Sequence, residues 1–218
     1  MKKISLTFLF SIFYLFTFAQ QSDSKALKIL DKVSQNMKTY KTIYAEFGLE
    51  LKNSQDNVSD KRGGKIWVKG NKYKVDMGSS QTFFDGKNIW TYIKESNEVN
   101  ISTPDDEDDE TINPAKIFDI YKDGFKVRFI QERFEDTRPL YVIDLYPTNK
   151  DKAFSRIRLK IDKSKNEIYE FDRFDKDGNI YLIKLFRLKK NMPLSDSMFI
   201  FDKKKHPGVE VVDLRDDD

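Results

Sequence analysis

Alternation of apolar and polar residues with a period of two, restarted by a turn signal roughly every 8–12 residues, most constrains how this chain folds. Tyr73, Val75 and Met77 alternate with Lys72, Lys74 and Asp76; Ile157, Leu159 and Ile161 alternate with Arg156, Arg158 and Lys160. Successive side chains of a strand point to opposite faces, so each run is a strand with one apolar and one polar face. Gly70-Asn71, Asp85-Gly86-Lys87, Pro147-Thr148-Asn149 and Asp177-Gly178-Asn179 supply the turns. Strands are expected at 43–52, 65–69, 73–77, 81–84, 88–94, 98–102, 125–132, 140–146, 155–162, 167–174, 180–188 and 197–201. Residues 53–60 read as a polar turn, and a polar tail follows 201.

Two stretches have helical spacing instead. From Ser22 to Tyr40, Ala26, Leu30, Val33 and Met37 form an apolar stripe widened by Leu27 and Ile29, with N-cap oxygens at Ser22, Asp23 and Ser24. Asn113-Pro114 opens a second stretch, with Asn as cap and Pro at the first helical position. It would present Ile117, Ile120 and Tyr121 and end at Gly124. The expected class is mainly β with helices (α+β): an antiparallel sheet of about eleven strands, too long to stay flat. It would curl into an unclosed β-barrel with the helices inside or across its mouth.

Lys2 and Lys3, the uncharged run from Ile4 to Phe18, and Thr17-Phe18-Ala19 have the layout of a secretory signal peptide cut after Ala19. The expected division is signal peptide 1–19 and one domain 20–218. Position 20 is Gln rather than Cys, so the chain is not itself a bacterial-type lipoprotein. There is no cysteine, and hence no disulfide frame. The chain has 39 basic and 36 acidic residues. Without Lys2 and Lys3 the balance is 37 to 36, which gives no basic face for nucleic acid.

Catalytic signatures are missing from the sequence. His206 is the one histidine and lies beside Lys203, Lys204 and Lys205, where it reads as exposed. No phosphate-binding glycine loop, zinc motif or serine elbow occurs. The acidic run Asp105, Asp106, Glu107, Asp108, Asp109 and Glu110 lacks the calcium-loop pattern and reads as a solvated loop. Acids elsewhere alternate outward along strands, where they would keep one face wet. No cofactor or metal is expected. An enzyme on lipid or glycan would need two carboxylates facing each other in a cleft.

Attention therefore falls on the apolar face. Trp67, Tyr73, Phe83, Phe84, Trp90, Phe129 and Phe171 are candidates for it, in a chain with 18 Phe, 10 Tyr and 2 Trp. Val75 and Met77 share a face with Tyr73, and Ile117 and Ile120 would be presented to the same space. Such a surface can be plain core, or it can line a cavity for an apolar ligand.

The segments 63–69 (Gly-Gly-Lys-Ile-Trp-Val-Lys), 72–77 (Lys-Tyr-Lys-Val-Asp-Met), 84–92 (Phe-Asp-Gly-Lys-Asn-Ile-Trp-Thr-Tyr) and 98–99 (Glu-Val) resemble the LolA family of outer-membrane lipoprotein carriers. Tyr-Ala-Glu-Phe (44–47) is similar to the family's opening. Phe-Ile-Phe (199–201) and Pro-Gly-Val-Glu-Val-Val-Asp (207–213) are similar to its ending. The resemblance implies an unclosed barrel with a helical lid and Tyr73 facing the cavity. It implies a monomeric, soluble, periplasmic, non-enzymatic carrier. Such a carrier takes acylated lipoproteins from an inner-membrane exporter and passes them to an outer-membrane acceptor. A lipoprotein-sensing regulatory module and a carrier of another lipid are the alternatives. The family motif commonly continues Trp-Val-Lys-Arg-Pro, with the Arg tied to lid closure; here Gly70 follows Lys69, so that Arg is absent.

Overall fold

The computed structural model describes residues 23–53, 58–104 and 113–215. The expected signal peptide and the acidic run 105–110 lie outside the described residues, as does Ser22.

Helix α1 spans Ser24–Lys38. Asp23 caps it, its carboxylate accepting from the Lys25 and Ala26 amides, and Lys38 sits in the last turn, where the helix dipole favours a cation. Ala26, Ile29, Leu30, Val33, Ser34 and Met37 are buried on one stripe, which contains the expected pattern except for Leu27, which is half-buried.

Twelve strands follow among the described residues: β1 Ile43–Asn53, β2 Val58–Lys69, β3 Lys72–Asp76, β4 Ser80–Phe84, β5 Ile89–Ile93, β6 Glu98–Ser102, β7 Phe125–Glu135, β8 Arg138–Pro147, β9 Phe154–Asp162, β10 Glu167–Asp175, β11 Asn179–Lys190 and β12 Glu210–Asp213. They form one sheet in the order β12-β6-β5-β4-β3-β2-β1-β11-β10-β9-β8-β7. All neighbours are antiparallel except β12, which runs parallel to β6. The sheet is open, with β12 and β7 as its edges, and it is not strongly curled, which corrects the expectation of a curled, nearly closed barrel. Among the described residues, no helix is long and apolar enough to cross a membrane.

Four further expectations are corrected. Pro114–Lys122 is not an α-helix but a series of turns ending in a 3₁₀ helix, Ile120–Lys122. Its backbone bonds run from Lys116 N to Asn113 O, Asp119 N to Lys116 O and Lys122 N to Asp119 O, each three residues apart. Three residues per turn bring Ile117 and Ile120 onto the same side, and both pack against the main core. Asn113 does act as a cap, accepting from the Ala115 amide at 2.9 Å. Residues 197–201 are not a strand: 196–199 form a 3₁₀ helix, with Phe199 and Phe201 buried. The "tail" contains β12, which gains a neighbour only because the chain returns to β6. Val58–Asp60, expected within a turn, belongs to β2.

The register sorts side chains onto two faces, since directly opposed residues share a face. One row across the sheet is Ile43, Val68, Tyr73, Phe84, Ile89. The next is Ala45, Ile66, Val75, Thr82, Thr91. These rows form the inner face, on which α1 and 113–125 pack in one core with Phe171, Leu159 and Ile143. The opposite, outer face carries Tyr44, Trp67, Lys74, Phe83, Trp90 and Ile101 in one row. Residues 199–209 cover part of it, and Phe83, Tyr92, Val99, Phe201 and Val209 make a second, smaller core.

Candidate functional site

A cavity of about 940 Å³ opens on the inner face. Its apolar wall is Tyr73, Phe84, Ile89, Ile120, Phe125 and Phe154. The rim is polar: Asn71, Asn113, Lys116, Asn149 and Lys152 stand there, with Thr82 and Thr91 on the wall between. This size suits a small-molecule ligand, for which pockets run ~300–1,000 Å³.

The wall follows from register. Gly70, at φ 58°, closes the turn that aligns Val68 with Tyr73. The Asp85 carboxylate accepts from the Lys87 and Asn88 amides at 2.8 Å, which fixes the turn that puts Phe84 opposite Ile89. Tyr73 and Phe84 rings lie 5.1 Å apart. Tyr73 is 4% exposed, and burial raises its pKa.

The floor is held by α1 and by residues 113–122. The Tyr121 hydroxyl donates to Asp31 on α1 at 2.6 Å; burial, then that carboxylate, push its pKa up to about 12. Asp119 accepts from Ser34 at 2.5 Å and pairs with Lys38 at 3.1 Å and Lys122 at 2.6 Å. Burial alone would raise its pKa, but the bonds from Lys122, Ser34 and Lys38 outweigh it and lower it to about 2. At the other end of α1, the Asp23 amide donates to Val127 O, and Lys25 lies 3.7 Å over the Phe129 ring.

Of the eleven residues singled out in the sequence, Tyr73, Phe84 and Ile120 line this cavity. Val75, Ile117 and Phe129 pack against the same inner core without reaching the wall. Met77 has its sulfur beside the Phe47 ring above Gly64. Trp67 and Trp90 point to the other face: Trp67 lies against Tyr44 at 5.3 Å, and Trp90 packs in the second core. The two tryptophans and Tyr73 therefore do not meet. Phe83 is likewise on the outer face, and Phe171 on the inner.

Ile89, Phe125 and Phe154 were missed. In Ile89-Trp90-Thr91-Tyr92-Ile93 both faces carry apolar residues, so period alone cannot say which is inward; the turn register at Asp85-Gly86 can. Phe125 and Phe154 open strands distant in sequence, and only pairing of β7, β8 and β9 brings their rings within 6.1 Å of each other.

His206, expected to be exposed, is half-buried, with its ring 4.7 Å from Phe201 and 4.3 Å from Tyr92. Among the described residues, no group of three or more His, Cys, Asp or Glu is arranged to hold a metal. The outer face is also drier than the alternation implied. Asp144 is fully buried, held by Arg158 at 2.7 and 2.9 Å and by the Tyr146 hydroxyl at 3.2 Å. Long arginine and lysine stems cover such carboxylates while keeping their charged ends beside them.

In the absent arginine's place, Lys69 and its neighbour across the turn work outward. Lys69 donates to Leu194 O at 2.9 Å and to Asp196 at 2.6 Å, and Lys72 reaches Asp196 at 2.9 Å. These bonds secure residues 194–196 to the β2–β3 turn.

The family model described as outer membrane lipoprotein carrier protein LolA matches residues 15–169. No curated protein matches the sequence. Among solved structures, an uncharacterized conserved protein from Thermus thermophilus is similar with TM-score 0.58 and 16% identity, covering 87% of this chain and 99% of that one. Lipoprotein LppX from Mycobacterium tuberculosis is similar with TM-score 0.51 and 10% identity, covering 80% and 99%. A LolA superfamily protein from Nitrosomonas europaea matches with TM-score 0.45 and 13% identity, covering 82% and 98%. At these identities the first two speak for the fold. The family model spans well over half of the sequence, and the chain belongs to the family of outer-membrane lipoprotein carriers named LolA.

Proposed function

We propose that this protein is a non-catalytic carrier that shelters the acyl chains of lipoproteins in its inner-face cavity. It would act in the periplasm after export by residues 1–19, taking its load from an inner-membrane exporter and delivering it to an outer-membrane acceptor. The observation that carries this reading is the cavity of about 940 Å³ walled by Tyr73, Phe84, Ile89, Ile120, Phe125 and Phe154, in a chain of this family. An acyl chain exposed to water costs ~0.8 kcal/mol per CH₂, so a long chain resists crossing an aqueous space by on the order of 10 kcal/mol. A preformed apolar cavity removes that barrier without any chemistry. The polar rim suits the boundary between buried chains and the hydrated protein part of the load.

The test is a titration of the purified protein with a triacylated lipopeptide. Saturable binding is expected. Thr91→Trp should weaken it about tenfold or more, by filling wall space rather than packed core, while the far-ultraviolet circular dichroism stays unchanged. Absence of binding by the folded wild type would overturn the proposal.

A further inference from the structure

The outer face holds a second cavity, of about 730 Å³, that the carrier reading does not use. Register builds it. One row across the sheet runs Arg158, Asp172, Leu182, Glu50, Lys61, and the next runs Lys160, Glu170, Lys184, Gly48, Gly63. The facing glycines on β1 and β2 leave a gap where side chains would stand. A Cβ on Gly63 would find only Phe47 O, at 3.9 Å, within reach. Phe186, 65% exposed, lays its ring over Gly48, 2.9 Å from where a Cβ would sit.

The two ends of this trough carry opposite charge. At the β10 end, Asp172 is 3% exposed, and among the described residues its Oδ1 has no hydrogen-bond partner. Beside it, Glu170 pairs with Lys160, a cation it shares with Glu135, which Arg133 at 3.2 Å and Lys184 at 3.9 Å also reach. Arg158 is committed to Asp144, and Lys184 to Asp136 at 2.7 Å. At the β1–β2 end the imbalance reverses, because one carboxylate, Glu50, serves both Lys52 at 3.3 Å and Lys61 at 3.2 Å. Three strand spacings, roughly 14 Å between backbones, separate Asp172 from Lys61, a gap that a lysine stem partly spans.

We propose that this trough is a binding site for a small zwitterion: an ammonium donating to Asp172, and an anionic group, such as a phosphate ester, held by Lys61 and Lys52. A simple anion would face Asp172 and Glu170, and a simple cation would face the two lysines; a ligand with both charges satisfies both ends. An ammonium supplies the donor that the buried Oδ1 lacks, which is the group whose burial is otherwise most costly. The exposed Phe186 ring can add a cation–π contact. Phosphoethanolamine has this chemistry, either free or as the headgroup of a lipid.

Calorimetric titration of the purified protein with O-phosphoethanolamine tests the assignment, with ethanolamine and inorganic phosphate as half-ligands. Saturable binding is expected, tighter than either half-ligand. Asp172→Asn should weaken it about tenfold or more, the loss of a charge-assisted bond. Gly63→Leu, which fills open space and leaves every charge in place, should block it while the thermal melt stays cooperative. Thr91→Trp, on the opposite face, should leave it unchanged. A parallel flotation assay compares vesicles with and without phosphatidylethanolamine: binding in that arm alone points to the headgroup, and binding in the titration alone to the free compound. No saturable binding in either arm overturns the proposal, as does binding that Asp172→Asn leaves unaltered.

Discussion

At the residue scale, the paired glycines 63 and 64 show how adjacent residues of one strand serve opposite faces. Gly64 faces inward under Phe47: a Cβ there would come within 2.4 Å of the Phe47 ring and 2.7 Å of the Met77 sulfur. Both are half-buried side chains that would have to give up this contact to make room. Gly64→Ala should therefore destabilise the protein by ~1–3 kcal/mol, the usual cost of overpacking. Gly63→Ala meets open space on the outer face, and alanine suits a strand at least as well as glycine. It should be neutral or slightly stabilising. Urea denaturation of the two variants side by side checks the contrast, and equal effects would contradict the assignment of the two faces.

At the scale of elements, residues 113–122 are held to α1 by polar contacts as much as by Ile117 and Ile120. Asp119 joins Ser34 and Lys38 on the helix to Lys122 on its own segment. Its folded pKa, about 2, lies below the ordinary carboxylate value near 4. A depressed pKa means that the folded state favours the ionised form. The stabilisation is fully present above about pH 4 and is lost as pH falls toward about 2. These groups are largely solvated, so the contribution is below ~1 kcal/mol after screening. Acid should nonetheless loosen this segment from α1. Hydrogen exchange at the amides of 117–121 is expected to accelerate between about pH 4 and 2, after correction for intrinsic rates. Asp119→Asn should exchange faster at neutral pH and lose most of that acid response. An identical response in the variant would assign the loosening to other groups.

At the scale of the whole molecule, the open sheet with cover on both faces sets how a ligand acts on stability. α1 and 113–125 cover the inner face, and 194–209 lie along part of the outer. The inner cavity belongs to the main core, since Tyr73, Phe84 and Phe154 line the one and are buried in the other. A ligand bound there interacts with the folded state and not with the unfolded chain. At a concentration about 100 times its Kd it adds ~2.7 kcal/mol. For a chain of this size that raises Tm by roughly 5–10 °C. Thermal melts with and without the lipopeptide should show this rise, and Thr91→Trp should abolish it. A ligand that binds but leaves Tm unchanged would have to sit on a surface indifferent to folding.

The amino-acid sequence by itself determined most of the strands and their turns, α1 and most of its buried stripe, and that Tyr73 and Val75 share one apolar face. These depend on local terms: period, β-branching, positive φ at Gly70 and Gly86, and the cap at Asp23. Where both alternating faces are apolar, as at Trp67 and Trp90, local pattern is silent, and inter-strand register alone decides which way a ring points. The family segments around 63–92 were legible as a motif, but they do not say that its tryptophans and its tyrosine lie on opposite sides of the sheet. Tertiary structure also decided that 113–122 turns with a three-residue repeat, which sets Ile117 and Ile120 on one side against the core. It decided that residues 210–213 become a strand, because β6 offers them an edge. The two cavities are likewise products of pairing: one needs Phe125 and Phe154 brought beside Phe84, the other two glycines set opposite each other. No single segment encodes either, since a cavity is the space between segments that meet only when the sheet has formed.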